Sequence, residues 1–531
     1  MSVQETFDYV IVGAGSAGCV LANRLSADPS SRVLLIEAGP PDTNPWIHVP
    51  IGFYRTIFNP SLGWSYTTEP EPGTGDRAMS WVRGKVLGGS SSINGLLYVR
   101  GQHEDFDDWK ALGNQGWGAE DVLPYFKRSE NQVRGGNDWH GAGGPLTVSD
   151  VSHPDELSDA FVLAAEQAGI ARNPDFNGAS QEGAGYYQLT TRKGRRASSA
   201  AAFLKPVRHR SNLVVRTGAL VSRVLMDGRH AKGVEYLQGG HLHQVSAARE
   251  VILSGGAVNS PQLLQLSGIG PGALLQAHGV KPVHDLPGVG QNLQDHYNAY
   301  TLVRCKLPVT WNVQSRQWGW KIKAGLQFLM GGGPLTTGSA RAGGFARTRP
   351  ELDRPDVQFH FMLFTTNGKS AEMDRFSGFT ITVCQLRPES RGEVNIASGD
   401  FQRAPRILPR YLTHPLDQKT LVDGIRMTRR IVESPALQPY VERVAQPNWT
   451  DSDEQLLAFA RTTGRTVFHP CGTCKMGNDA MAVVDDQLRV QGLQGLRVAD
   501  ASIMPTLVSA NTNAASIMIG EKASDLILGS R

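Results

Sequence analysis

A glycine-rich turn near the N-terminus constrains the fold of this chain more than any other feature. The segment DYVIVGAGSAGCVLANRL begins with a continuous apolar run, Tyr9 to Val12, which is typical of a parallel strand buried on both faces. Gly13, Gly15 and Gly18 follow in a G-x-G-x-x-G pattern. The first glycine allows a tight turn, the second lets the backbone approach a pyrophosphate, and the third lets a helix pack closely on the strand.

The residues after the glycines complete a strand–turn–helix–strand unit. The helix would continue through Cys19, a small apolar residue, to Leu25, and its N-terminal amides would face the phosphates of a ligand. Val33 to Ile36 forms the second strand and is followed by Glu37, which would accept hydrogen bonds from a ribose. A tight helix-packing turn is the alternative interpretation. The acidic residue that closes the second strand favours dinucleotide binding.

Two further segments favour FAD over a nicotinamide dinucleotide as the ligand. LRVADASIMP (496–505) predicts a strand, Leu496 to Ala499, that ends in Asp500, and an amphipathic helix is predicted to begin near Asn511. GKVLGGSSSING (84–95) is rich in glycine without a strand pattern, which indicates a backbone that passes close to a large, flat ligand. Three distant segments that converge on one ligand suit the extended FAD molecule.

Length and composition exclude several classes of protein. The 531 residues are 40% apolar and 19% charged, as in a globular protein with a substantial core. The net charge of +4 is too small over this length to indicate a nucleic-acid surface. Five cysteines suggest no disulfide framework, no stretch reaches the ~20 apolar residues of a spanning helix, and Met1 to Thr6 carries no export signal. We therefore expect a cytoplasmic protein without a nucleic-acid partner.

The segment RTVFHPCGTCKMG (465–477) places His469, Cys471 and Cys474 within six positions. A zinc site would need one or two further ligands in a closed tetrahedral set, and the sequence contains no second Cys-x-x-Cys pair. A thioredoxin-like redox pair would need the motif at a helix start, a context that Pro470 and Gly472 do not provide. We therefore expect no metal here and two cysteines that serve packing. His469 itself is either a core histidine or a catalytic group.

Six ordered motifs along nearly the whole chain resemble those of the glucose–methanol–choline (GMC) flavoprotein oxidoreductases. They are VGAGSAGCVLANRL near the start, RGKVLGGSSSING (83–95), GGAVNSPQLLQLSGIG (255–270), DLPGVGQNLQDH (285–296), FHPCGTCKMG (468–477) and LRVADASIMPTLVSANTNAASIMIGEKASD (496–525). Within the family, the segment NPDFNGASQEGAGYYQLTTRKGRR and the overall length are most similar to bacterial alcohol, polyol and sorbose dehydrogenases.

The resemblance implies an α/β protein, α+β overall, with a Rossmann-like FAD-binding domain and an inserted substrate domain built on an antiparallel sheet. The discontinuous FAD-binding domain would comprise residues 1–155, 200–300 and 465–531. The substrate-binding domain would comprise residues 156–199 and 301–464. Two stretches in the middle of the chain, DVQFHFMLFT (356–365) and FTITVCQLRP (379–388), read as strands of a sheet with one covered face. His360 and Cys384 are expected to have structural or surface roles there.

The predicted FAD contacts combine the glycine-rich turn with positions that the resemblance adds. They are Gly13, Gly15, Ser16, Ala17, Gly18, Glu37, Ala38, Trp64, Val86, Gly89, Asn94, Gly95, Leu96, Val221, Asp500, Ala501, Asn511 and Thr512. Some relatives attach FAD covalently through a histidine in the segment that here reads LGGSSSINGLL. This chain has Ile93 and Asn94 there and no histidine before His103, so we expect non-covalent FAD.

The resemblance also assigns the catalytic residues. The family's catalytic histidine falls on His469, and its partner, often His or Asn, falls 44 positions later on Asn513. A neutral imidazole can take the hydroxyl proton of an alcohol near pH 7 while a hydride moves to the flavin. The Asn513 amide would donate to the same oxygen as negative charge develops on it. The helix that begins near Asn511 would direct its positive end at the flavin.

The expected activity is FAD-dependent oxidation of a primary alcohol, polyol or aldehyde hydrate, with electrons passed to a quinone or other acceptor. An oxygen-using oxidase of the same family shares every motif quoted above. The sequence also leaves open a hydroxynitrile lyase, which keeps FAD without using its redox chemistry, and a nucleotide-binding protein without catalysis.

The stretch RQWGWKIKAGLQFLMGGG (316–333) has aromatic and apolar residues at near-helical spacing, with Lys321 and Lys323 among them. One interpretation is an interfacial patch that docks on a membrane near a quinone, which would place the protein peripheral to the inner membrane. The other interpretation is a helix or loop over the mouth of the active site.

Overall fold

The computed structural model describes residues 5–366 and 372–529. Residues 1–4 and 530–531, at the outer ends of the predicted FAD-binding segments, lie outside the described residues. The sequence prediction about Met1 to Thr6 therefore falls mostly outside them. These described residues build two seven-stranded sheets, one mixed and one antiparallel. Among the described residues, no helix is both long enough and apolar enough to cross a bilayer.

The mixed sheet is assembled from three separate parts of the chain, residues 5–36, 213–253 and 496–498. Its strands lie in the order Leu213–Arg216, Val33–Ile36, Glu5–Val12, His241–Leu253, His230–Gln238 and Ala219–Asp227, and Leu496–Val498 also pairs with His241–Leu253. The pairings on both sides of Glu5–Val12 are parallel, with Tyr9 opposite Val33 and Val10 opposite Val251. The sequence-predicted strands are thus present, the first one four residues longer than its apolar run.

Two helices pack together beside the glycine-rich turn. Helix Ser16–Leu25 follows the turn, and a Cβ on Gly18 would lie only 1.9 Å from the Gly13 carbonyl oxygen, so only glycine lets the helix approach this closely. The C-terminal helix Thr512–Leu528 crosses it at Gly520, where a Cβ would lie 2.8 Å from the Ala17 carbonyl oxygen. This C-terminal helix is buried over most of its length and is not amphipathic as predicted, because it also packs against Ala119–Ser129.

The antiparallel sheet comes mainly from the middle of the chain. Its strands lie in the order Val441–Gln446, Tyr297–Cys305, Gly378–Gln385, Val357–Met362, Ala342–Ala346 and Gly183–Tyr186, and Arg465–Thr466 also pairs with Tyr297–Cys305. The two predicted strands of this sheet are Val357–Met362 and Gly378–Gln385. Strand Tyr297–Cys305 crosses the predicted domain boundary at residue 300 and belongs entirely to this sheet.

The antiparallel sheet is covered on both faces, so the prediction of one covered face is wrong. Phe359, Phe361 and Val383 pack in a core beneath helices Glu156–Gln167 and Pro415–Glu433. Among the alternate residues of the same strands, His360, Thr380 and Thr382 are buried as well, and they border a cavity between the two sheets. The alternation of the sequence predicts the two faces correctly but not what covers the second one.

The remaining elements connect the two sheets. The paired short strands are Gly63–Thr67 with Ser80–Gly84, Glu130–Gln132 with Leu146–Val148, Thr191–Arg192 with Arg195–Arg196, Ile269–Gly270 with His284–Asp285, and Glu393–Asn395 with Arg406–Leu408. The other α-helices are Pro45–His48, Phe53–Thr56, His103–Ala111, Gly256–Leu266, Gly272–Ala277, Trp311–Gln314, Trp318–Leu329 and Asp453–Thr463. A π-helix spans Ala200–Leu204, and 3-10 turns span Pro50–Gly52, Pro72–Thr74, Gly89–Ser92, Lys205–Val207, Pro334–Thr336 and Ala501–Ile503.

Candidate active site

A cavity of about 220 Å³ lies where the parallel strands of the mixed sheet end, and we call it the nucleotide cavity. Ligands of open parallel sheets bind at this edge. The predicted FAD contacts that line it are Gly13, Gly15, Ser16, Ala17, Glu37, Ala38, Trp64, Gly89, Val221, Asp500, Ala501 and Thr512. Three segments that are distant in the sequence therefore do meet at one cavity.

The glycine-rich turn leaves room for a ligand at the entrance to helix Ser16–Leu25. Gly13 has a φ of 102°, and a Cβ there would lie 2.4 Å from the Ser254 carbonyl oxygen. Gly15 lines the cavity, and a Cβ there would approach only the Ser254 carbonyl oxygen, at 3.9 Å, so it would occupy the cavity itself. Free amides at a helix N-terminus suit a phosphate, so these residues fit a pyrophosphate group.

Two carboxylates border the nucleotide cavity. Glu37 accepts hydrogen bonds of 2.9 Å from the backbone N–H groups of Ala14 and Gly39, and burial raises the pKa of its carboxyl to about 7 despite these bonds. Asp500 accepts hydrogen bonds from the Gly256 N–H at 2.8 Å and the Ser260 hydroxyl at 2.6 Å. Both side chains are therefore held in place by the fold before any ligand contact.

A second cavity, of about 770 Å³, lies between the two sheets, and we call it the histidine cavity. It is lined by His469, Asn511 and Asn513, together with the predicted cofactor residues Asn94, Gly95 and Leu96. Five residues, Ser16, Arg83, Ser90, Thr512 and Ser516, line both cavities. The two cavities therefore adjoin at the start of the C-terminal helix, whose first turn carries no acidic residue.

Two predicted cofactor contacts line neither cavity. Gly18 lies within the helix contact with Gly13 described above. Val86 is fully buried in a small core with Ile47, Leu62 and Val82. Both residues shape the glycine-rich segments from behind, and neither faces the space in which a ligand would lie.

His469 is held at the cavity wall by its own backbone. Its N–H donates to Asp295 Oδ1 at 2.7 Å, and Asp295 Oδ2 accepts from the hydroxyl groups of Thr466, at 2.5 Å, and Tyr411. Phe468, the preceding residue, has a φ of 63°, a strained value for a bulky side chain, and its carbonyl accepts from Arg83 at 2.7 Å. Burial raises the pKa of the Asp295 carboxyl to about 6.

A second histidine fixes the protonation state of His469. His296 Nε2 lies 2.9 Å from the Leu386 carbonyl, which can only accept, so this nitrogen carries the proton. Burial lowers the pKa of His296 to about 4, so its Nδ1 is an acceptor, and it lies 2.9 Å from His469 Nδ1. Burial also lowers the pKa of His469 well below its ordinary value. His469 is therefore neutral, with its proton on Nδ1 and its lone pair on Nε2.

Two asparagines of the segment NTN surround the lone pair of His469. Asn511 Nδ2 lies 3.0 Å from His469 Nε2, and Asn511 Oδ1 accepts from Gln358 at 3.3 Å, which orients the amide. Asn513 Oδ1 accepts from the Ser16 hydroxyl at 2.8 Å. Of the two asparagines, Asn511, predicted as a cofactor contact, is thus the one that contacts His469 directly, whereas Asn513 lines the same cavity two positions further along the helix.

His360 also faces the histidine cavity. It is only 6% exposed, its Nδ1 lies 3.3 Å from the Thr382 hydroxyl, and its ring stacks on Tyr187. Burial, and then the neighbouring His296, lowers the pKa of His360 to about 3. A surface role is excluded, and a role towards a ligand in the cavity is consistent with this position.

The cysteines of the segment HPCGTC line neither the nucleotide cavity nor the histidine cavity. Cys471 and Cys474 are fully buried in the core of the mixed sheet and are free thiols. Burial raises the pKa of both. Within residues 5–366 and 372–529, no group of three or more His, Cys, Asp or Glu side chains could hold a metal ion.

The sequence reasoning missed His296, Asp295 and Arg83 as site residues. Asp295 and His296 end the segment DLPGVGQNLQDH, which carried part of the family resemblance, so a signal was present. Their roles depend on strand Tyr297–Cys305, which begins at the next residue and pairs with Arg465–Thr466 just before His469. The sequence gives no measure of that long-range pairing.

The sequence is similar to proteins of one enzyme family along nearly its full length. Family profiles of the GMC oxidoreductases match residues 7–298 and 388–520. An alcohol dehydrogenase [acceptor] of Pseudomonas putida is 45% identical over 535 residues, which cover 98% of this chain and 96% of that protein. An oxygen-dependent choline dehydrogenase of Escherichia coli is also 45% identical, over 533 residues, with the same coverage.

Solved structures agree with the sequence matches. The crystal structure of pyridoxine 4-oxidase from Mesorbium loti superposes with a TM-score of 0.90 at 34% identity and covers 98% of each chain. The α/β fold with a Rossmann-type domain is therefore shared along the full length. The chain belongs to the GMC oxidoreductases, FAD-binding enzymes that act on CH–OH donors.

Proposed function

We propose that this protein oxidises an uncharged alcohol with His469 as the catalytic base. The observation that carries the proposal is the Nε2 lone pair of a neutral His469, which accepts from Asn511 at the wall of a cavity that adjoins the nucleotide cavity. A neutral imidazole is the side chain best suited to accept a hydroxyl proton near pH 7. The positions of Asn511 and Asn513 beside it support the same reaction.

The residues that would hold FAD, bound without a covalent link, line the nucleotide cavity. The turn at Gly13 and Gly15 would receive the pyrophosphate, Glu37 would receive a ribose, and Thr512 would lie where the two cavities adjoin. FAD, when bound, accepts the hydride that leaves the alcohol carbon. Ile93 is buried and Asn94 lines the histidine cavity, which supports non-covalent binding, because neither side chain can form the histidine link.

The chain's own residues manage the proton and the charge on oxygen. The substrate hydroxyl would donate its proton to His469 Nε2, and the Nδ1 proton would stay on His469 because His296 accepts from it. The substrate hydroxyl would replace Asn511 Nδ2, now 3.0 Å from His469 Nε2, as the donor to this lone pair, and Asn511 would then donate to the substrate oxygen as negative charge develops. Asn513 would add a second donor through its amide nitrogen.

The charge of the histidine cavity favours an uncharged substrate over a cationic one. Arg77, Arg83 and Arg465 line it, whereas Asp374 is the one carboxylate among its described lining residues. Arg83 donates to the Phe468 carbonyl and Arg77 to the Gly464 carbonyl, and the buried Asp295, which does not line the cavity, interacts electrostatically with Arg83. A quaternary ammonium group would be repelled by this surplus positive charge.

The apolar wall of the cavity favours an alcohol with a hydrocarbon chain over a polyol. Its described lining includes Phe53, Ile57, Leu302, Met362 and Phe364, none of which lines the nucleotide cavity. A polyol would leave its hydroxyl groups without partners against such a wall. Among the substrates expected from the sequence, a primary alcohol is therefore favoured over a polyol or an aldehyde hydrate.

The electron acceptor is proposed to be a quinone or a similar organic acceptor. The relative named alcohol dehydrogenase [acceptor] supports this choice. An oxygen-using oxidase is the alternative, supported by the relative named oxygen-dependent choline dehydrogenase and by the pyridoxine 4-oxidase structure. The base and its donors would act identically in both cases.

The test is anaerobic mixing of the purified protein with pairs of alcohols, measured as bleaching of the flavin absorbance. Choline and 3,3-dimethylbutan-1-ol form a matched pair, since they have the same shape and differ by one positive charge. We expect the uncharged alcohol to give a kcat/KM for flavin reduction at least about tenfold higher. Glycerol tests the polyol alternative, and later addition of oxygen or of a soluble quinone identifies the acceptor class.

The outcomes separate the parts of the proposal. A preference for choline or glycerol would contradict the substrate assignment and leave the oxidation intact. A flavin that no alcohol of the panel bleaches would contradict the oxidation itself and favour non-redox use of FAD.

A further inference from the structure

Helix Trp318–Leu329 presents an apolar stripe to solvent. Five of the fifteen exposed large apolar side chains among the described residues lie on it or directly after it: Trp318, Ile322, Leu326, Leu329 and Met330. Trp318 is 78% exposed, and Leu329 and Met330 are each 80% exposed. At about 100° per residue these five side chains fall within an arc of about 120° of the helix. Such a continuous stripe is unusual on a protein surface that faces only water.

The opposite face of this helix anchors it to the protein. Ala324 is buried, and Trp320 packs against the core of the antiparallel sheet. The 3-10 turn Pro334–Thr336, which follows the helix, contacts both the helix and the turn Pro50–Gly52. The helix is thus fixed on the body of the protein, and its exposed stripe is not a consequence of a detached segment.

Basic side chains surround the stripe. Lys321 and Lys323 are exposed and flank it on either side around the helix axis. The turn that carries Arg192, Lys193 and Arg195, all exposed, abuts the end of the helix, since a Cβ on Gly194 would lie 2.6 Å from the Gly331 carbonyl oxygen. Residues 183–206 and 307–350 contain no Asp or Glu. Both segments that form this surface are therefore purely basic in their charge.

From this arrangement we propose that the stripe and its basic surround form a docking face for a membrane that contains anionic phospholipids. An apolar stripe with tryptophan, flanked by lysine and arginine, is the pattern of a helix that lies in the membrane interface. The apolar side chains would enter the boundary between headgroups and acyl chains, and the five basic side chains would contact the phosphates. The inference rests on the surface alone and does not depend on the proposed function.

The docking face lies near an opening of the histidine cavity. The turn Pro50–Gly52, in contact with the 3-10 turn after the helix, leads directly into Phe53, which lines that cavity. Phe58 lines the cavity and is 51% exposed, so the cavity reaches the surface at this side chain. A membrane on the docking face would therefore lie close to a route by which an apolar alcohol or a lipid-soluble acceptor enters.

The experiment is co-sedimentation of the purified full-length holoprotein with vesicles. Vesicles of phosphatidylcholine alone are compared with vesicles that contain 30% phosphatidylglycerol, each at low salt and in 0.5 M NaCl. We expect binding to the anionic vesicles, weakened by salt because the charge contribution is screened. The combined variant Trp318→Ser, Ile322→Ser, Leu326→Ser should reduce the partition constant about 10²-fold. The variant Lys193→Glu, Arg195→Glu should reduce it at least about tenfold.

Matched controls keep the test specific. Leu112→Ser with Leu242→Ser removes exposed apolar side chains elsewhere, and Lys232→Glu with Lys281→Glu reverses exposed charges elsewhere. Both control variants should bind as the wild type does, and every variant must keep its FAD content and its flavin reduction by a soluble alcohol.

Three results would overturn the proposal. They are absence of vesicle binding by the wild type, equal binding to neutral vesicles, and binding that either docking-face variant leaves unchanged. Sedimentation velocity tests whether a second copy of this chain binds the stripe instead. A dimer that the triple serine variant abolishes, in the absence of vesicle binding, would assign the stripe to that contact.

Discussion

The Nδ1 atoms of His469 and His296 lie 2.9 Å apart, although 173 positions separate the two residues in the chain. His296 is in turn fixed by the Leu386 carbonyl, 2.9 Å from its Nε2. This order of donors and acceptors directs the His469 proton towards the protein and its lone pair towards the cavity. His296 is therefore a positioning residue for the proposed base.

Replacement of His296 should slow the reaction without affecting FAD binding. In His296→Leu the Nδ1 proton of His469 loses its acceptor, so both tautomers become accessible and the lone pair is no longer held on Nε2. We expect flavin reduction to slow by about 10²-fold, which is part of the rate enhancement that a general base usually provides. The measurement is the anaerobic flavin-reduction rate at saturating alcohol, with FAD content determined in parallel.

His296→Asn is the matched variant, because its amide oxygen can take the place of the imidazole Nδ1 as acceptor. It should recover much of the lost rate. Equal losses in the Leu and Asn variants would show that His296 acts by packing and not by fixing the tautomer.

Replacement of His469 should abolish the base and keep the cofactor. His469→Ala is expected to slow anaerobic flavin reduction by about 10²–10⁴-fold, and a higher pH should partly restore the rate, since some alcohol then ionises unaided. Asn513→Ala should cost roughly 10²–10³-fold, as for loss of a donor to a developing oxyanion. The double variant should lose less than the product of the two factors, because both groups act on one oxygen.

Asn511→Ala belongs to the same series, since Asn511 and not Asn513 contacts His469 directly. If flavin reduction slows in Asn511→Ala and keeps the wild-type rate in Asn513→Ala, the role of oxyanion donor belongs to Asn511. A wild-type rate of flavin reduction in His469→Ala, at full FAD content, would contradict the assignment of the base.

The flavin is expected to leave the protein on denaturation. The cavity residues Ile93 and Asn94 offer no histidine for a covalent link, and the nearest one along the chain, His103, contacts the Gly178 carbonyl at 3.2 Å and lines a different cavity. Acid precipitation should therefore give a colourless pellet and a yellow supernatant with the absorbance of free FAD. A pellet that stays yellow after washing would show a covalent bond.

The buried cluster of His140, Asp175 and Glu130 should make the folded protein less stable as the pH becomes alkaline. His140 Nε2 lies 2.8 Å from Asp175, and its Nδ1 lies 3.1 Å from Glu130. Burial lowers the pKa of His140, but the two carboxylates outweigh it and raise the pKa to about 9 from an ordinary value of 6.5. The folded state thus binds this proton more tightly than the unfolded state. Its contribution is complete below about pH 6.5 and is lost as the pH rises through about 9.

The check is the melting temperature of wild type and His140→Gln between pH 6 and pH 9.5. The difference in melting temperature between the wild type and His140→Gln should be about 2–4 °C larger at pH 6 than at pH 9.5. A difference that stays constant over this range would show that His140 is neutral in the folded protein.

The sequence by itself determined the strand–turn–helix–strand unit of the mixed sheet and the residues with which that unit lines the nucleotide cavity. The G-x-G-x-x-G pattern after an apolar run leaves few backbone solutions, because Gly13 needs a positive φ and Gly18 leaves no space for a Cβ. Glu37 comes directly after strand Val33–Ile36, and Asp500 comes two residues after strand Leu496–Val498. A correct strand prediction therefore places both side chains at one edge of the sheet.

Only the tertiary structure decided the surroundings of His469 and the role of the alternate strand faces. The contact with His296 depends on pairing between Tyr297–Cys305 and Arg465–Thr466, strands from distant segments whose register no local pattern encodes. The alternation around His360 separates two faces of a strand, but whether water or a cavity meets the second face depends on the domain packed against it. For the same reason the spacing of NTN could not reveal that Asn511, at the helix cap, reaches His469 first.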